Sequence, residues 1–291
     1  MPRYAIIEAP SVLGLWPSGL QDAPKVLLEM GLGVGLGIAE TLRLESPPYD
    51  PRRDPETHML NPQGLAAYTQ TLAREVWNML EDKHVPLLLG GDCSILLGPA
   101  LALKERGRYG LLFVDGHMDY WDARLEPYGE AASMDLALVT GNGPALLSNI
   151  DGLGPYFNPE DCCAYGTRDH LQDKDFIETP YPQELERIDV KEAHARGAQG
   201  VEQALARVTK DELEGFWIHF DVDVLDDEIM PAVEYRMKDG LSYEELTRLL
   251  RAAFATGKVM GMTLTIYNPN LDPQRWIARK LVTKLLEILK P

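Results

Sequence analysis

Two short segments of the sequence combine a run of apolar residues with closely spaced side chains that could bind metal ions. In LLFVDGHMD, the apolar run leads into Asp115, His117 and Asp119, and in FWIHFDVDVL a second run contains Asp221 and Asp223. Side chains two residues apart lie on the same face of an extended chain. If the extended conformation continues through each segment, each presents its ligand groups on one face.

Carboxylates gathered in this way would repel one another at neutral pH unless cations compensated them. Oxygen ligands with one imidazole suit Mn²⁺ or Mg²⁺, with Zn²⁺ or Fe²⁺ as alternatives, and a bridging aspartate could hold two ions. An isolated Asp-x-Asp is more often a turn or a cap, and a lone histidine such as His117 is more often a hydrogen-bonded interior residue. The presence of two such segments favours a metal site, while Asp226 is assigned to a turn.

A third segment, LLLGGDCSILLGP, places a cysteine at the predicted start of a helix. Gly90 and Gly91 permit a tight turn after the apolar run, and Asp92 could cap the helix that begins near Cys93. Because the N-terminus of a helix lowers the pKa of a thiol, Cys93 could serve as a thiolate ligand or as a nucleophile. A small buried side chain beside a capping aspartate is the alternative.

The elements that must position these residues alternate along the chain. Strands are predicted for YAIIEA, VPLLLGG, YGLLFVDG, CCAYGT, FWIHFDVDVL and VMGMTLTIY, and helices for 65–81, 201–208, 243–255 and 276–289, the third with a capping box from Ser242 to Glu245. This alternation predicts an α/β fold with a mostly parallel sheet. Since ligands bind beyond the carboxyl ends of parallel strands, both acidic segments are predicted to face the same region.

Composition restricts the cellular setting and the partners. The 45 acidic residues against 28 Lys and Arg give a net charge of −17, which disfavours nucleic acid and anionic membranes as partners. The opening lacks the pattern of an export signal, and no apolar run of about 18 residues occurs, so no membrane span is expected. Three cysteines, two of them adjacent at Cys162 and Cys163, form no disulfide framework and indicate a reducing compartment, which we infer to be the cytoplasm.

Taken in order, GGDCS, DGHMD, YGTRD, DVDVLDDEIMP, GLSYEE and YNPNLD resemble the arginase, agmatinase and formimidoylglutamase superfamily, as do AIIEAPSVLG and GLQDAPKVL near the start. The resemblance spans nearly the whole chain. It implies a single ureohydrolase-like domain over 1–291 with a three-layer α/β fold, a binuclear manganese centre, a small-molecule substrate, and a trimeric or hexameric homo-oligomer.

The resemblance also implies a set of metal ligands and a catalytic residue. Asp115 and Asp221 would bridge two ions. In such enzymes the metals generate a hydroxide that attacks a guanidinium or amidine carbon, and Asp119 holds it and then passes a proton to the leaving amine. One ion would be completed by Cys93 and Asp119, and the other by His117 and Asp223; Zn²⁺, Fe²⁺ or a single ion are alternatives to two Mn²⁺ ions.

The sequence departs from the family pattern at several positions. Cys93 replaces the usual histidine of GGDHS, and Ala132 with Ser133 replaces the His-Gly pair that contains a proton-shuttle histidine. Ile266 stands where the family has a glutamate that binds the guanidinium, and Leu171 stands where arginase has a carboxylate for the α-amino group.

The Pro-Gly-Thr motif of the family is replaced here by Pro231, Ala232 and Val233. Three carboxylates in the corresponding loops could recognise a different substrate or could simply be solvated, namely Glu130, Asp135 and Glu234.

Three hypotheses follow. The first is a metal-dependent hydrolase of a carbon-nitrogen bond in a linear amidine or guanidino compound other than arginine. The second is a non-catalytic member of the fold that binds metal or has a regulatory role. The third is an amidine hydrolase in which Cys93 is the nucleophile and His117 its acid-base partner.

Overall fold

The computed structural model describes residues 2–172 and 179–290. Its eight described strands form one sheet in the order β2-β1-β3-β8-β7-β4-β5-β6, and every described pairing between them is parallel. The α/β prediction is confirmed, and the sheet is parallel throughout rather than mostly parallel. The strands are β1 (Tyr4–Ala9), β2 (Leu42–Arg43), β3 (Val85–Gly90), β4 (Gly110–Val114), β5 (Cys162–Tyr165), β6 (Glu186–Ile188), β7 (Phe216–Asp221) and β8 (Val259–Thr265).

Helices connect these strands, and the predicted helices are present. The segments 243–255 and 276–289 are helical over their predicted lengths, whereas the two other predicted helices begin three residues earlier than expected, at Pro62 and Ala198. The described helices are α1 (Ala23–Glu29), α2 (Leu32–Leu36), α3 (Pro62–Glu81), α4 (Leu97–Lys104), α5 (Asp135–Val139), α6 (Ala145–Ser148), α7 (Asp169–Gln172), α8 (Val190–Arg196), α9 (Ala198–Val208), α10 (Tyr243–Ala255) and α11 (Trp276–Leu289).

Apolar side chains on the two faces of the sheet belong to two separate hydrophobic clusters. In β3, Leu87 and Leu89 pack into one cluster and Leu88 into the other, as the alternation of side chains along a strand requires. The first cluster includes residues of α9, α10 and α11, and the second includes residues of α3, α4 and α5. The sheet is therefore the middle of three layers, which confirms the predicted architecture.

Two predicted helix starts are confirmed by their hydrogen bonds. Ser242 and Glu245 form a reciprocal capping box at the start of α10. Asp92 accepts a hydrogen bond from the backbone N–H of Ser94, which caps a short 3₁₀ helix over Cys93–Leu96 that continues into α4. Both caps satisfy N–H groups that have no partner inside the helix.

The extended conformation does not continue through the acidic segments, so the condition for their alignment by strand alternation is not met. Strand β4 ends at Val114, β7 ends at Asp221, and a 3₁₀ turn follows at Val222–Val224. The carboxylates cause these endings, because Asp115 accepts from the backbone N–H of His117 at 2.7 Å and Asp221 accepts from that of Asp223 at 2.8 Å. Such local bonds compete with the sheet ladder, so turns position the ligands.

Two further observations bear on the predictions about membrane spans and disulfides. No helix in the described ranges has both the length and the apolar character needed to cross a membrane. All three cysteines are free and buried.

Candidate metal centre

The predicted ligand residues gather beyond the carboxyl ends of four adjacent strands, β3, β8, β7 and β4. A pocket of about 210 Å³ opens there, and five of the six predicted ligands line it. The sixth, Asp115, lies behind the pocket wall and is fully buried. The five that line the pocket are Cys93, His117, Asp119, Asp221 and Asp223.

Cys93 contacts Asp221, the last residue of β7. Its Sγ lies 2.8 Å from Oδ2 of Asp221 and 3.2 Å from the hydroxyl of Thr265. Burial, followed by the charge of Asp221, raises the pKa of Cys93 well above its usual value. The predicted lowering of the Cys93 pKa by a helix N-terminus is therefore wrong, because burial and the surrounding carboxylates outweigh a helix of four residues.

His117 pairs with the last aspartate of the second segment. Its Nδ1 lies 2.9 Å from Oδ2 of Asp223 and 3.7 Å from Oδ1 of Asp115. Although burial opposes both shifts, the charge of Asp223 raises the pKa of His117 and the charge of His117 lowers the pKa of Asp223. Ligand atoms of Asp115, His117 and Asp223 thus form one compact group.

Burial and like charge disfavour ionisation of the remaining carboxylates of the site. Burial, followed by the charge of Asp223, raises the pKa of Asp115 to about 7. Burial and neighbouring carboxylates raise the pKa values of Asp119, Asp135 and Asp221 well above the ordinary range. Divalent cations would favour the ionised forms of these carboxylates, which is the electrostatic character expected of a metal site.

Two residues in this region were not predicted as ligands. His219 is fully buried in β7, two residues before Asp221, and its ligand nitrogen clusters with Cys93, Asp115 and Asp221. A histidine within the otherwise apolar start of FWIHFDVDVL was the available signal. Asp135, considered only as a loop carboxylate, is fully buried at the start of α5 and clusters with Cys93 and Asp119.

The other two loop carboxylates also have defined partners. Glu130 is buried and accepts a hydrogen bond from the hydroxyl of Tyr235 at 2.9 Å, and burial raises its pKa to about 7. Glu234 accepts one from Asn268 at 2.6 Å. Neither is a freely solvated side chain.

A buried arginine holds the turn that carries Asp223. Arg168 donates hydrogen bonds to the backbone carbonyls of Asp223 and Leu225, at 2.7 and 3.2 Å, and to that of Lys238 at 3.0 Å. Gly116 donates its N–H to Oδ1 of Asp223 at 3.1 Å. Arg168 thus holds the backbone of the turn, while Gly116 holds the carboxylate of Asp223.

The positions that depart from the family pattern give the pocket apolar surfaces. Ala132, Ser133 and Ile266 line it, together with the side chains of Trp121 and Tyr235. Leu171 lies elsewhere, partly exposed on the wall of a different cavity.

Residues 3–289 match the model of the arginase family. The chain belongs to the arginase family. Among curated arginase relatives, that of Staphylococcus aureus (strain COL) is 27% identical over 298 residues, covering 96% of this chain and 94% of that protein. The arginase of Bacillus subtilis (strain 168) is 29% identical over 225 residues, covering 76% and 73%. The resemblance inferred from the motifs is confirmed.

Solved structures of the arginase family share this fold. The arginase of Bacillus caldovelox superposes with a TM-score of 0.87 at 22% identity, covering 100% of this chain and 99% of that one. The agmatine ureohydrolase of Thermoplasma volcanium gives 0.66 at 20% identity, covering 98% and 89%. The protein is an arginase-family hydrolase, and the family normally binds a binuclear metal centre.

Proposed function

We propose that this protein is a metal-dependent hydrolase of a carbon-nitrogen bond in a linear amidine or guanidino compound other than arginine. The observation that carries the proposal is the buried cluster of sulfur, nitrogen and oxygen donors at the base of one pocket. Its carboxylates are too close and too buried to ionise together without cations.

The donor set fits divalent cations. Oδ2 of Asp115 is buried and has no hydrogen-bond partner among the described residues, so it is free to bind an ion. We assign two ions, with Mn²⁺ as the expected metal, to Cys93, Asp115, His117, Asp119, Asp221 and Asp223. When bound, such ions lower the pKa of water towards neutrality and polarise the bond to be cleaved.

Asp119 is the proposed catalytic residue. It lines the pocket, and burial with the charge of Asp115 raises its pKa, which makes it a better proton acceptor than an ordinary carboxylate. In the hydrolysis, an oxygen from water bonds to the amidine carbon while the carbon-nitrogen bond breaks. Asp119 takes the proton that water loses and delivers it to the leaving nitrogen.

The pocket supports a substrate with less positive charge than arginine. Ile266 and Ala132 offer no charge to a guanidinium, whereas Trp121 and Tyr235 offer aromatic surface. A neutral amidine, a hydroxyguanidine or a formimidoyl group fits these surroundings. The names of the relatives, arginase and agmatine ureohydrolase, support the class of bond.

The same apolar positions favour one alternative, a non-catalytic protein that binds metal in a binding or regulatory role. The alternative in which Cys93 is the nucleophile has less support, because its thiol contacts Asp221 and Thr265 while His117 contacts Asp223. The raised pKa of Cys93 also disfavours a free thiolate.

The proposal includes the molecular setting. One domain over 1–291 is supported by a sheet that combines strands from both ends of the chain. A homo-oligomer, trimeric or hexameric, and a cytoplasmic location follow from the family resemblance and the free cysteines. A small-molecule substrate follows from the family, and the net charge of −17 disfavours nucleic acid.

Metal content tests the proposal. Protein purified without chelator and incubated with Mn²⁺ is analysed by mass spectrometry beside Asp221→Asn and the exposed control Asp211→Asn. Two ions in the wild type and the control, with loss in Asp221→Asn, support the centre. No metal in any of them contradicts it.

A screen of amidines with the metal-loaded protein then tests catalysis. Release of ammonia, urea or an amide supports the hydrolase. Full metal loading without any release favours the non-catalytic alternative. Activity that withstands chelation but not Cys93→Ala supports the thiol mechanism, with Cys163→Ala as the control.

A further inference from the structure

Three buried polar atoms face one another behind the pocket and have no hydrogen-bond partner among the described residues. They are Nε2 of His219, Oδ2 of Asp115 and Oδ2 of Asp135. Nε2 of His219 lies 3.7 Å from each of the two carboxylate oxygens, which is beyond hydrogen-bond distance. All three residues are fully buried, so these atoms are shielded from bulk solvent.

The ring of His219 is held with this nitrogen directed at the carboxylates. Its other nitrogen, Nδ1, lies 2.8 Å from the hydroxyl of Thr263, which in turn lies 3.5 Å from the carbonyl of Ile218. A hydroxyl that donates to this carbonyl accepts the N–H of Nδ1 and leaves a lone pair on Nε2. The ring also stacks on Phe113, with centroids 4.8 Å apart and planes 17° from parallel.

A lone pair opposite carboxylate oxygens is unfavourable unless a proton or a metal cation lies between them, and the separation of the atoms suits a metal cation. Ligand atoms about 2.1 Å from a tetrahedral ion lie about 3.4 Å from one another. The observed 3.7 Å is close to that separation. Ligand atoms of Cys93, Asp115, His219 and Asp221 all lie within 4.8 Å of one another, and all four residues are buried. The four donors thus form one compact buried cluster.

We propose that His219 is a metal ligand, which completes with Cys93, Asp115 and Asp221 an inner site that prefers Zn²⁺ to Mn²⁺. Thiolate, imidazole and carboxylate are the donors that zinc takes in tetrahedral sites, whereas Mn²⁺ favours oxygen. The inference rests on the proposed function, since it shares three ligands with the metal centre described above. It adds His219 to the proposed ligands of that centre and a preference for Zn²⁺.

Cobalt titration of the full-length metal-free protein tests the inner site without reference to activity. We expect the wild type to show a sulfur-to-cobalt charge-transfer band and the strong visible absorption of tetrahedral cobalt. His219→Gln should lose the tetrahedral absorption and bind Zn²⁺ at least about a hundredfold more weakly in a competition assay. His84→Gln changes a histidine outside the site and should match the wild type.

A second measurement leaves His219 unchanged. In His117→Gln loaded with one equivalent of Zn²⁺, His219 is the imidazole that remains in the clusters of ligand atoms found among the described residues. X-ray absorption should therefore show one sulfur and one imidazole on the zinc. A zinc spectrum without imidazole scattering overturns the proposal, even if His219→Gln fails to fold.

The outcomes separate this inference from the proposed function. If His219→Gln binds Zn²⁺ as the wild type does, or if the wild type prefers Mn²⁺, the inner site is wrong while the metal-dependent hydrolase stands. If the wild type binds neither metal, both fail.

Discussion

Sγ of Cys93 lies 2.8 Å from Oδ2 of Asp221, although 128 positions separate the two residues in the sequence. Strand β8 lies between β3 and β7, so the turn after β3 must reach across it for this contact to form. Asp221 also begins the turn that carries Asp223. We therefore expect a change at position 93 to affect both Asp221 and Asp223.

Replacing Cys93 by histidine should change the metal preference. Imidazole is a harder donor than thiolate, so Cys93→His should raise the affinity for Mn²⁺ relative to Zn²⁺, by roughly tenfold or more. Competition between the two metals, followed by mass spectrometry of the bound ions, measures the ratio. Cys163→Ala removes a buried thiol outside the site and should leave the ratio as in the wild type. An unchanged ratio in Cys93→His would show that Cys93 is not a ligand.

Substituting Asp119 should affect catalysis more than folding. Asp119→Asn cannot carry a proton, so kcat on any substrate found in the screen should fall at least about a hundredfold. Burial in the metal-free protein disfavours the charged carboxylate, so the melting temperature of the metal-free variant should be equal or higher. Steady-state kinetics and thermal unfolding test both points beside Asp211→Asn. A kcat close to the wild-type value would remove Asp119 from the proton-transfer role.

Adding a methyl group at Gly116 should disturb Asp223. A Cβ built there lies 2.6 Å from Nη1 of Arg168 and 2.8 Å from Oδ1 of Asp223, so one of them must move. We expect Gly116→Ala to reduce the free energy of unfolding by about 1–3 kcal/mol and to weaken metal binding.

Gly64→Ala is the matched control, because the same methyl group meets only ordinary contacts at 3.7 Å in α3. It should stabilise the helix by about 0.5–1 kcal/mol. Urea unfolding and zinc titration measure both variants. Equal behaviour of the two alanine variants contradicts the prediction.

Glu130 should make stability depend on pH in a defined direction. Burial raises its folded-state pKa from 4.5 to about 7, so the buried acid contributes stability below pH 4.5 and loses it as the pH rises through about 7. Between pH 4.5 and about 7, the free energy of unfolding of the wild type should fall by at most roughly 3 kcal/mol relative to that of Glu130→Gln.

Urea unfolding of wild type, Glu130→Gln and the exposed control Glu212→Gln at a series of pH values measures this difference. The contributions of other titrating groups to the free energy of unfolding cancel when the wild type is compared with the variant. A difference between wild type and Glu130→Gln that stays constant over this range would mean that Glu130 ionises normally.

Elements with a strong local signal were predicted nearly to the residue. The boundaries of α10 and α11 follow from apolar periodicity and, in α10, from the capping box of Ser242 and Glu245. Boundaries were less accurate at the strand ends near the site. There, the carboxylates of Asp115 and Asp221 accept hydrogen bonds from the backbone N–H groups two residues later. Such bonds compete with the hydrogen bonds of the sheet, and the alternation of apolar residues gives no sign of them.

The fold class and the arginase-family resemblance could be inferred from the order and spacing of residues within short segments. The same spacing proposed a set of candidate ligands, Cys93, Asp115, His117, Asp119, Asp221 and Asp223. The strand order, the burial of Asp135 and Glu130, and the position of His219 near two carboxylates became visible in the folded chain. The physical reason is that burial and ligand separation depend on the packing of segments far apart in the chain. A residue such as His219 acquires its partners only when β4, β7 and the start of α5 meet.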